Sequence, residues 1–577
     1  MNLDYLKKNK WIFLIIFGII IFSIRLIGLT ISLYDDEANF AYTLSHLNSF
    51  GFNTHYFTHI FFNWIYIPII ALFGLEIWVF RLVPWVFGIL NTLLVYFFAK
   101  RHYSEGAAFF ASLLMLISFY PTLASLQFDV EGSLVTFAIT LLFFSLLESE
   151  KATTSKSKLF WQIMAGIGLG IPIIKYNPGY LIFTLVIYAL INRHFNFRHV
   201  FKDLFVIYLT GAFVFFSFIL LGIISSPDNW LNFVWVGGFS DTKFGHPIYY
   251  LALSMFLLWS TPLLFSFYPI SILKWDRKNL LLIIWISVPL LVYSFLLPYG
   301  AMDRYFMNTI PALCMLGGYF IAKMNFNKKQ VIIGSVLFTF FTTLFFILNL
   351  IPFKYIPRFP ELYLSELKNL NLNFLFAYTS ASGPTFGMNF LILFLVLVIS
   401  FMALLGFWLW ERYIPENSNN KNGNNNNNKK NKNITAAFFL IFISVGLAYN
   451  VFLVSEYLFH PTTPNVSEVQ LSMINYVKEN NLSYPIYTND EGVQWTLDHD
   501  YKDQIKTQGF ADNEIGLSVS KATERIKQSG GTILLLHWPP LPDNSPAWEV
   551  VRACKIDRQF YSKGILIGDV YHCNKNN

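Results

Sequence analysis

Long apolar runs, separated by short polar segments, fill the first four-fifths of the chain. Many of them reach about 18 residues or more, which is the length that a helix needs to cross the hydrocarbon core of a bilayer. Backbone polar groups must be satisfied internally in lipid, so these runs predict helices rather than strands. We therefore predict a polytopic α-helical membrane protein with about thirteen transmembrane helices. The predicted spans are residues 11–33, 82–99, 106–124, 133–147, 160–174, 179–192, 204–224, 250–272, 280–298, 305–322, 331–351, 389–410 and 434–455.

Basic residues between the runs predict the orientation of the chain. Lys7, Lys8 and Lys10 precede the first run, and Lys/Arg clusters recur at every second boundary. Because cytoplasmic loops are enriched in Lys and Arg, we place the N-terminus inside and the C-terminal residues outside a plasma membrane. Only 13% of the 577 residues are charged, against about 25% in soluble proteins. The net charge of +7 therefore reflects inner loops rather than nucleic-acid binding.

Composition divides the chain into two parts. Residues 1–455 carry the apolar runs and form the predicted transmembrane domain. Its outer loop, 34–80, contains semi-apolar pieces that predict interfacial helices, and its Asn/Lys tract, 415–433, predicts a disordered cytoplasmic linker. Residues 456–577 are polar and alternate helical with strand-like patterns, which predicts an extracytoplasmic α/β domain. Whether Cys554 and Cys573 form a disulfide there stays open, because two residues are weak evidence.

Three consecutive carboxylates follow directly on the first apolar run and open the outer loop. The predicted orientation places polar residues from four further loops on the same face of the membrane. Acids and bases that converge at a membrane boundary indicate a site for an ionic substrate. The predicted members of this site are Asp35, Asp36, Glu37, Asp129, Glu131, Lys175, His246 and Arg304.

This mixture of charges suits a sugar that is linked by phosphate to a membrane lipid. The phosphate would lie at the headgroup level, where Lys175 and Arg304 bind it and stabilise the charge that grows as it leaves. A carboxylate of the acidic cluster would act as the base on an acceptor hydroxyl. Direct displacement of this kind inverts the anomeric centre of the sugar.

Simpler roles stay open for the same residues. Asp35 or Asp36 is also a suitable N-cap for an interfacial helix, and Asp129 and Glu131 can cap the next span. Lys175 and Arg304 can anchor helix ends at the interface. Arg25, within the first run, either faces inward as the partner of a carboxylate or extends to the membrane surface.

The order of these motifs resembles the GT-C glycosyltransferases that use lipid-phosphate sugars, namely protein O-mannosyltransferases and the aminoarabinose transferases of lipid A. The resemblance covers about residues 10–325. The matching features are Asp36-Glu37 after the first helix, Asp129 or Glu131 in the next outer turn, Lys175 with Pro178-Gly179, His246-Pro247 with Tyr249-Tyr250, and Arg304-Tyr305 followed by Pro311.

The resemblance implies a role for each acidic motif. Asp36 would be the catalytic base. Glu37 would orient Asp36, or contact the acceptor or a metal. Asp129 or Glu131 would be the second acid of the catalytic site, and the sequence does not show which of the two corresponds to the family's residue.

The basic and aromatic motifs are implied to bind the substrate. Lys175 and Arg304 would hold the lipid phosphate. The other substrate-binding candidates are His246, Tyr249, Tyr250 and Tyr305.

A divalent metal in the first loop is a further alternative, because some relatives bind one there. His55, His59 and Glu76 are the weak ligand candidates in this chain, and their spacing fits no metal signature. A metal is therefore not assigned.

These features predict a membrane glycosyltransferase that moves a sugar, such as mannose or another hexose, from a polyprenyl or dolichyl phosphate to a protein, lipid or glycan acceptor. A transporter or flippase of lipid-linked sugars is the alternative. Transporters often show internal repeats and midplane charges, whereas this chain shows no repeat and its acids cluster at one face. An oligosaccharyltransferase is a third candidate, but in place of its Trp-Trp-Asp motif the chain has only Trp495-Thr496-Leu497-Asp498.

Overall fold

Helices account for most of the described chain, and each of the predicted apolar runs contains one. The computed structural model describes residues 10–34, 36–45, 60–128, 132–173, 179–225, 262–292, 303–324, 326–356, 360–378, 386–413, 425–480, 482, 485–500, 507–509, 519–538, 540–541, 543, 545, 547–552 and 554–575. The first part of the chain, which we call the membrane part, comprises α1 (Lys10–Arg25), α2 (Asp36–Ser45), α3 (Ile60–Phe73), α4 (Ile77–His102), α5 (Glu105–Ile117), α6 (Phe119–Ala124), α7 (Leu134–Lys151), α8 (Ser155–Ile173), α9 (Tyr180–Asn192), α10 (Phe197–Ser225), α11 (Pro262–Leu273), α12 (Leu280–Leu291), α13 (Ile310–Lys323), α14 (Lys328–Asn349), α15 (Pro360–Lys368), the hairpin β1 (Leu375–Tyr378) and β2 (Phe386–Asn389), α16 (Phe390–Tyr413) and α17 (Asn425–Phe459).

The helical membrane architecture predicted from hydropathy is confirmed, but the count of thirteen spans is not. Within the described residues, six helices are long and apolar enough to cross a membrane. They are Trp11–Thr30, Ile77–His102, Phe197–Ile224, Lys328–Asn349, Phe390–Trp410 and Ala436–Phe459. Other predicted spans form shorter apolar helices, such as α5, α9 and α11.

The predicted span 106–124 shows how one apolar run becomes two helices. Ser118 adopts an extended conformation between α5 and α6. The Arg25 guanidinium, which is almost fully buried, donates to the carbonyl oxygens of Met115 (3.2 Å) and Leu116 (2.8 Å) and to Ser125 Oγ (3.1 Å). Carbonyls at a helix C-terminus lack intrahelical partners and attract cations. Arg25 therefore faces inward, as one interpretation predicted, but these bonds join it to carbonyls and a hydroxyl rather than to a carboxylate.

Glycines allow several helices of the membrane part to pack at backbone contact. A Cβ atom on Gly168 of α8 would lie 2.8 Å from the Ala138 carbonyl oxygen of α7, and one on Gly318 of α13 would lie 2.5 Å from the Ala107 carbonyl oxygen of α5. Small residues are what permits such close approach between helices in lipid. These contacts fix the position of α8 against α7 and of α13 against α5.

The C-terminal α/β region, Val466–Cys573, builds one mixed sheet flanked by helices. Its elements are α18 (Val466–Asn480), β3 (Ile486–Thr488), α19 (Glu491–Asp500), β4 (Thr507–Gly509), α20 (Val519–Ser529), β5 (Gly531–Leu536), α21 (Ala547–Val551), β6 (Lys555–Ser562) and β7 (Ile565–Cys573). The strand order is β4-β3-β5-β7-β6, with β3 parallel to β4 and β5, and β7 antiparallel to both of its neighbours. The alternation of helix and strand in the sequence thus corresponds to a real α/β arrangement.

The described residues also show the state of the two C-terminal cysteines and of part of the Asn/Lys tract. Cys554, after α21, forms a disulfide with Cys573 at the end of β7. α17 begins at Asn425, so residues 425–433 of the tract that we predicted as a disordered linker are helical. Extending a helix from an apolar span costs far less than nucleating one, which explains how Asn and Lys are included. The residues 414–424 lie outside the described part.

Candidate active site

The acidic segment that follows α1 is held by one carboxylate. Asp36 is the first residue of α2, and Glu37 is fully buried behind it. The Glu37 carboxylate accepts two bonds from Arg81 (2.9 and 2.8 Å), one from the Phe128 backbone N–H (2.7 Å) and one from the Tyr34 backbone N–H (3.3 Å). Such a bidentate, fully bonded arrangement is what makes a buried charge tolerable. Burial raises the pKa of Glu37, and the ion pair with Arg81 opposes that rise.

Arg81 connects this carboxylate to two other stretches of chain. It is fully buried in α4 and also donates to the carbonyl oxygens of Ile31 (2.8 Å), Ser32 (2.8 Å) and Leu126. The predicted span 82–99 leaves Arg81 at the edge of the outer loop, and that boundary is wrong. The predicted span began at residue 82, whereas α4 begins at Ile77, so Arg81 is a helical residue inside an apolar run. A charge in that setting indicates a buried partner, which is the signal that we missed.

The same network connects the segment of Asp36 to Phe128, the residue before the second acidic turn. Phe128, whose N–H is bound by Glu37, directly precedes Asp129 in the sequence. The Phe128 ring stacks on Phe80 at 4.7 Å between ring centroids and meets Tyr66 at 5.3 Å. The backbone beside Asp36 and the backbone beside Asp129 therefore converge on one carboxylate.

A small cleft lies between α4, α7 and the segment that carries Arg304. Arg304 and Tyr305 lie in a short 3-10 helix, Asp303–Thr309, and Thr136 Oγ1 of α7 lies 3.3 Å from Asn308 Oδ1 of that helix. Asn91 Oδ1 points into buried space without a hydrogen-bond partner among the described residues. The cleft is lined by Gly88, Asn91, Met115, Tyr120, Pro121, Ala124, Gly132, Ser133, Thr136, Met307, Ile310 and Pro311. The residues just after the acidic turn and just after Arg304 thus share one cleft.

Several predicted site residues lie outside the described part, and the side chains of Asp36, Arg304 and Tyr305 are not described. Those entirely outside it are Asp35, His55, His59, Asp129, Glu131, Lys175, His246, Tyr249 and Tyr250. Their predicted roles stay predictions.

Of the three metal-ligand candidates, Glu76 lies among the described residues. Glu76 is exposed and immediately precedes α4. No group of three or more His, Cys, Asp or Glu residues in the described ranges is arranged to hold a metal ion. The described residues therefore do not form a metal site, and we derive no step through a metal.

The C-terminal α/β region contributes to this neighbourhood, which sequence reasoning did not foresee. α19 packs on α2, and Tyr42 Oη donates to Asp498 Oδ2 at 2.8 Å. Asp490 accepts from the Val493 N–H at 2.7 Å and so caps the start of α19. Burial raises the pKa of Asp490 to about 6.

Comparison with known proteins finds a matching family model and a similar bacterial protein. Residues 59–223 match the family model described as dolichyl-phosphate-mannose-protein mannosyltransferase. An uncharacterized protein of Aquifex aeolicus (strain VF5) is 25% identical over 343 residues, which are 58% of this chain and 77% of that protein.

Among solved structures, ArnT from Cupriavidus metallidurans is similar over almost the whole chain. In the apo state it gives a TM-score of 0.59 at 15% identity, with 98% of both chains covered. The structure bound to undecaprenyl phosphate gives 0.57 at 14% identity, again with 98% of both chains covered. The chain therefore has the ArnT fold, in the membrane part and the C-terminal region alike, and the predicted resemblance to GT-C glycosyltransferases is confirmed.

Proposed function

We propose that this chain is a membrane glycosyltransferase that takes a sugar from a polyprenyl or dolichyl phosphate and transfers it to a protein, lipid or glycan acceptor at the outer face. The observation that carries the proposal is the bonding of Glu37, which joins the segment of Asp36 to the segment of Asp129. The family match over residues 59–223 includes Arg81 and the second acidic turn. The ArnT structure with undecaprenyl phosphate shows that this fold accommodates a lipid phosphate.

In this proposal Asp36 is the base. Its carboxylate takes the proton of the acceptor hydroxyl while that oxygen attacks the anomeric carbon. The bond between the anomeric carbon and the phosphate oxygen breaks, so the lipid phosphate leaves and the anomeric centre inverts. Lys175 and Arg304 stabilise the charge that develops on the phosphate.

Glu37 has a supporting role in the same step. It is buried and has four hydrogen bonds, so it has little capacity left to contact a substrate. We therefore assign it the orienting role among those that the resemblance implied. The bond between Glu37 and the Phe128 N–H supports assigning the second acid to the turn that follows Phe128, as Asp129 or Glu131.

The test is transfer by purified protein in liposomes that contain a synthetic polyprenyl-phosphate mannose, with other polyprenyl-phosphate hexoses in parallel. We expect Asp36→Asn to abolish product formation while the protein still inserts, because the amide cannot accept the proton. Asp543→Asn is the control for loss of a carboxylate in the C-terminal region and should transfer normally. Normal turnover by Asp36→Asn would refute the assignment of the base. Donor movement across the bilayer without any glycosidic product would instead favour a flippase.

A further inference from the structure

α19 belongs to two hydrophobic cores at once. Trp495 is almost fully buried in the core of the membrane part, where its ring meets Phe80 edge-on at 5.5 Å between centroids. Val493 and Leu497, two residues to either side, are buried in the core of the C-terminal region. Residues two apart on a helix point in roughly opposite directions. One face of α19 therefore packs into the membrane part while the other packs under the sheet.

The start of α19 touches the backbone that leads to Asp36. A Cβ atom on Gly492 would lie 1.9 Å from the carbonyl oxygen of Leu33, a distance that no side chain can occupy. Leu33 is fully buried and precedes Asp36 by three residues. Glycine at position 492 is thus required for α19 to approach the acidic segment this closely.

The other end of α19 holds the second half of α2. Tyr42 Oη donates to the Asp498 carboxylate at 2.8 Å, and a hydrogen bond to a charged acceptor is stronger than a neutral one. Burial and the neighbouring carboxylates Asp498 and Glu491 raise the pKa of Tyr42, so its hydroxyl stays protonated and remains a donor.

α2 needs such contacts to have a defined position. It has only 10 residues, and isolated helices of that length are marginal in water. Glu37 anchors the first turn of α2 through Arg81, and α19 contacts α2 more than one turn later, at Tyr42. The orientation of the helix that begins with Asp36 therefore depends on both anchors.

We propose that α19 is a positioning element of the active site: by contacting Leu33 and Tyr42 it sets the orientation of α2 and hence of the Asp36 carboxylate. The C-terminal region is then part of the catalytic unit, and Gly492, Trp495 and Asp498 are positioning residues. This inference rests on the proposed function for its catalytic consequence, whereas the packing of α19 on α2 stands independently of it.

The test compares two tyrosines of the full-length protein in liposomes. Tyr42→Phe removes the bond to Asp498. Tyr476→Phe removes an equivalent bond, from Tyr476 Oη to Asp557 Oδ2 at 3.0 Å, that lies wholly within the C-terminal region. Hydrogen–deuterium exchange of residues 36–45 measures how firmly α2 is held, and transfer from polyprenyl-phosphate mannose measures catalysis.

We expect Tyr42→Phe to make the α2 amides exchange about tenfold faster, as the loss of one charged hydrogen bond implies. The same variant should lower kcat by about tenfold to a hundredfold with KM for the donor unchanged, because a small displacement of a reacting group is costly to catalysis. Tyr476→Phe should change neither quantity. Gly492→Ala should reproduce the effect of Tyr42→Phe from the other end of α19.

Unchanged exchange of α2 in both Tyr42→Phe and Gly492→Ala would overturn the inference, whatever the activity. Faster exchange with a wild-type kcat would overturn the positioning role. If no polyprenyl-phosphate hexose supports turnover by the wild-type protein, the proposed function fails. Exchange then still decides whether α19 holds α2.

Discussion

Loss of the Arg81 guanidinium would leave the Glu37 carboxylate buried without its cation. In Arg81→Met, Glu37 keeps only the N–H bonds of Phe128 and Tyr34, and three backbone carbonyls lose a donor. Removing one partner of a buried ion pair costs about 3–5 kcal/mol. Arg101→Met is the matched control, because Arg101 pairs with Glu148 through a side chain that is 66% exposed. Exposed pairs contribute about 0–1 kcal/mol.

The assay is thermal or denaturant unfolding of the purified protein, with Glu37→Gln and the doubly neutral variant Glu37→Gln/Arg81→Met included. Removing both charges avoids an uncompensated charge, so the double variant should be more stable than Arg81→Met alone.

The pH dependence has a definite sign. Without Arg81, burial raises the pKa of Glu37 in the folded state further above its ordinary value of 4.5. A raised folded-state pKa gives stability at low pH that is lost as pH rises through that pKa. Arg81→Met should therefore recover stability relative to wild type as pH falls from neutrality towards the ordinary pKa of a glutamate.

Three results would refute this reasoning. The first is an equal loss of stability in Arg81→Met and Arg101→Met, which would mean that burial adds nothing to the pair. The second is strict additivity of the Glu37→Gln and Arg81→Met effects, since residues in contact should couple. The third is a stability difference from wild type that does not change with pH.

Other predictions test the C-terminal region and the helix packing. Burial raises the folded-state pKa of Asp490 to about 6, against an ordinary 3.8, so its carboxyl destabilises the fold progressively as pH rises from 4 to 6. The variant Asp490→Asn keeps the cap acceptor and should lose that pH dependence. It should also gain up to about 3 kcal/mol of stability at pH 7 in unfolding measurements. An Asn variant with an unchanged pH profile would contradict the raised pKa of Asp490. Cys554→Ser should lower the stability of the C-terminal region by about 2–4 kcal/mol. A reductant should destabilise the wild-type protein but not the variant. Equal destabilisation of both proteins by the reductant would argue against the disulfide between Cys554 and Cys573. Gly168→Leu should destabilise the protein by about 1–3 kcal/mol or prevent insertion, because α7 leaves no room for a side chain, and normal thermal unfolding would contradict that close packing.

Much of the membrane part could be predicted because hydropathy is a local property. A helix in lipid must satisfy its own backbone and present apolar side chains, so each span appears in the sequence as a run. Hydropathy could not predict the number of spans, because helix breaks such as the one at Ser118 depend on distant residues. Arg25, which binds the carbonyl oxygen of Leu116 at that break, is 91 residues away from it in the sequence.

The candidate site was predictable only in part. The acidic segment at Asp36 stood out because three consecutive carboxylates follow directly on the first apolar run. The role of Glu37 was not evident, because its partner Arg81 is 44 residues distant and was assigned to a loop. Two adjacent carboxylates look alike in a sequence, and only burial shows that one of them is fully occupied with hydrogen bonds.

By itself, the sequence determined that this is a helical membrane protein with an α/β region at its C-terminal end and a cluster of acids after the first helix. The tertiary structure alone decided which charges neutralise each other and which helix holds the acidic segment. Tyr42 and Asp498 lie 456 positions apart, and no periodicity or composition connects them. The physical reason is that a buried polar group must find a partner wherever the fold brings one within hydrogen-bond distance, and that distance is set by packing rather than by position along the chain.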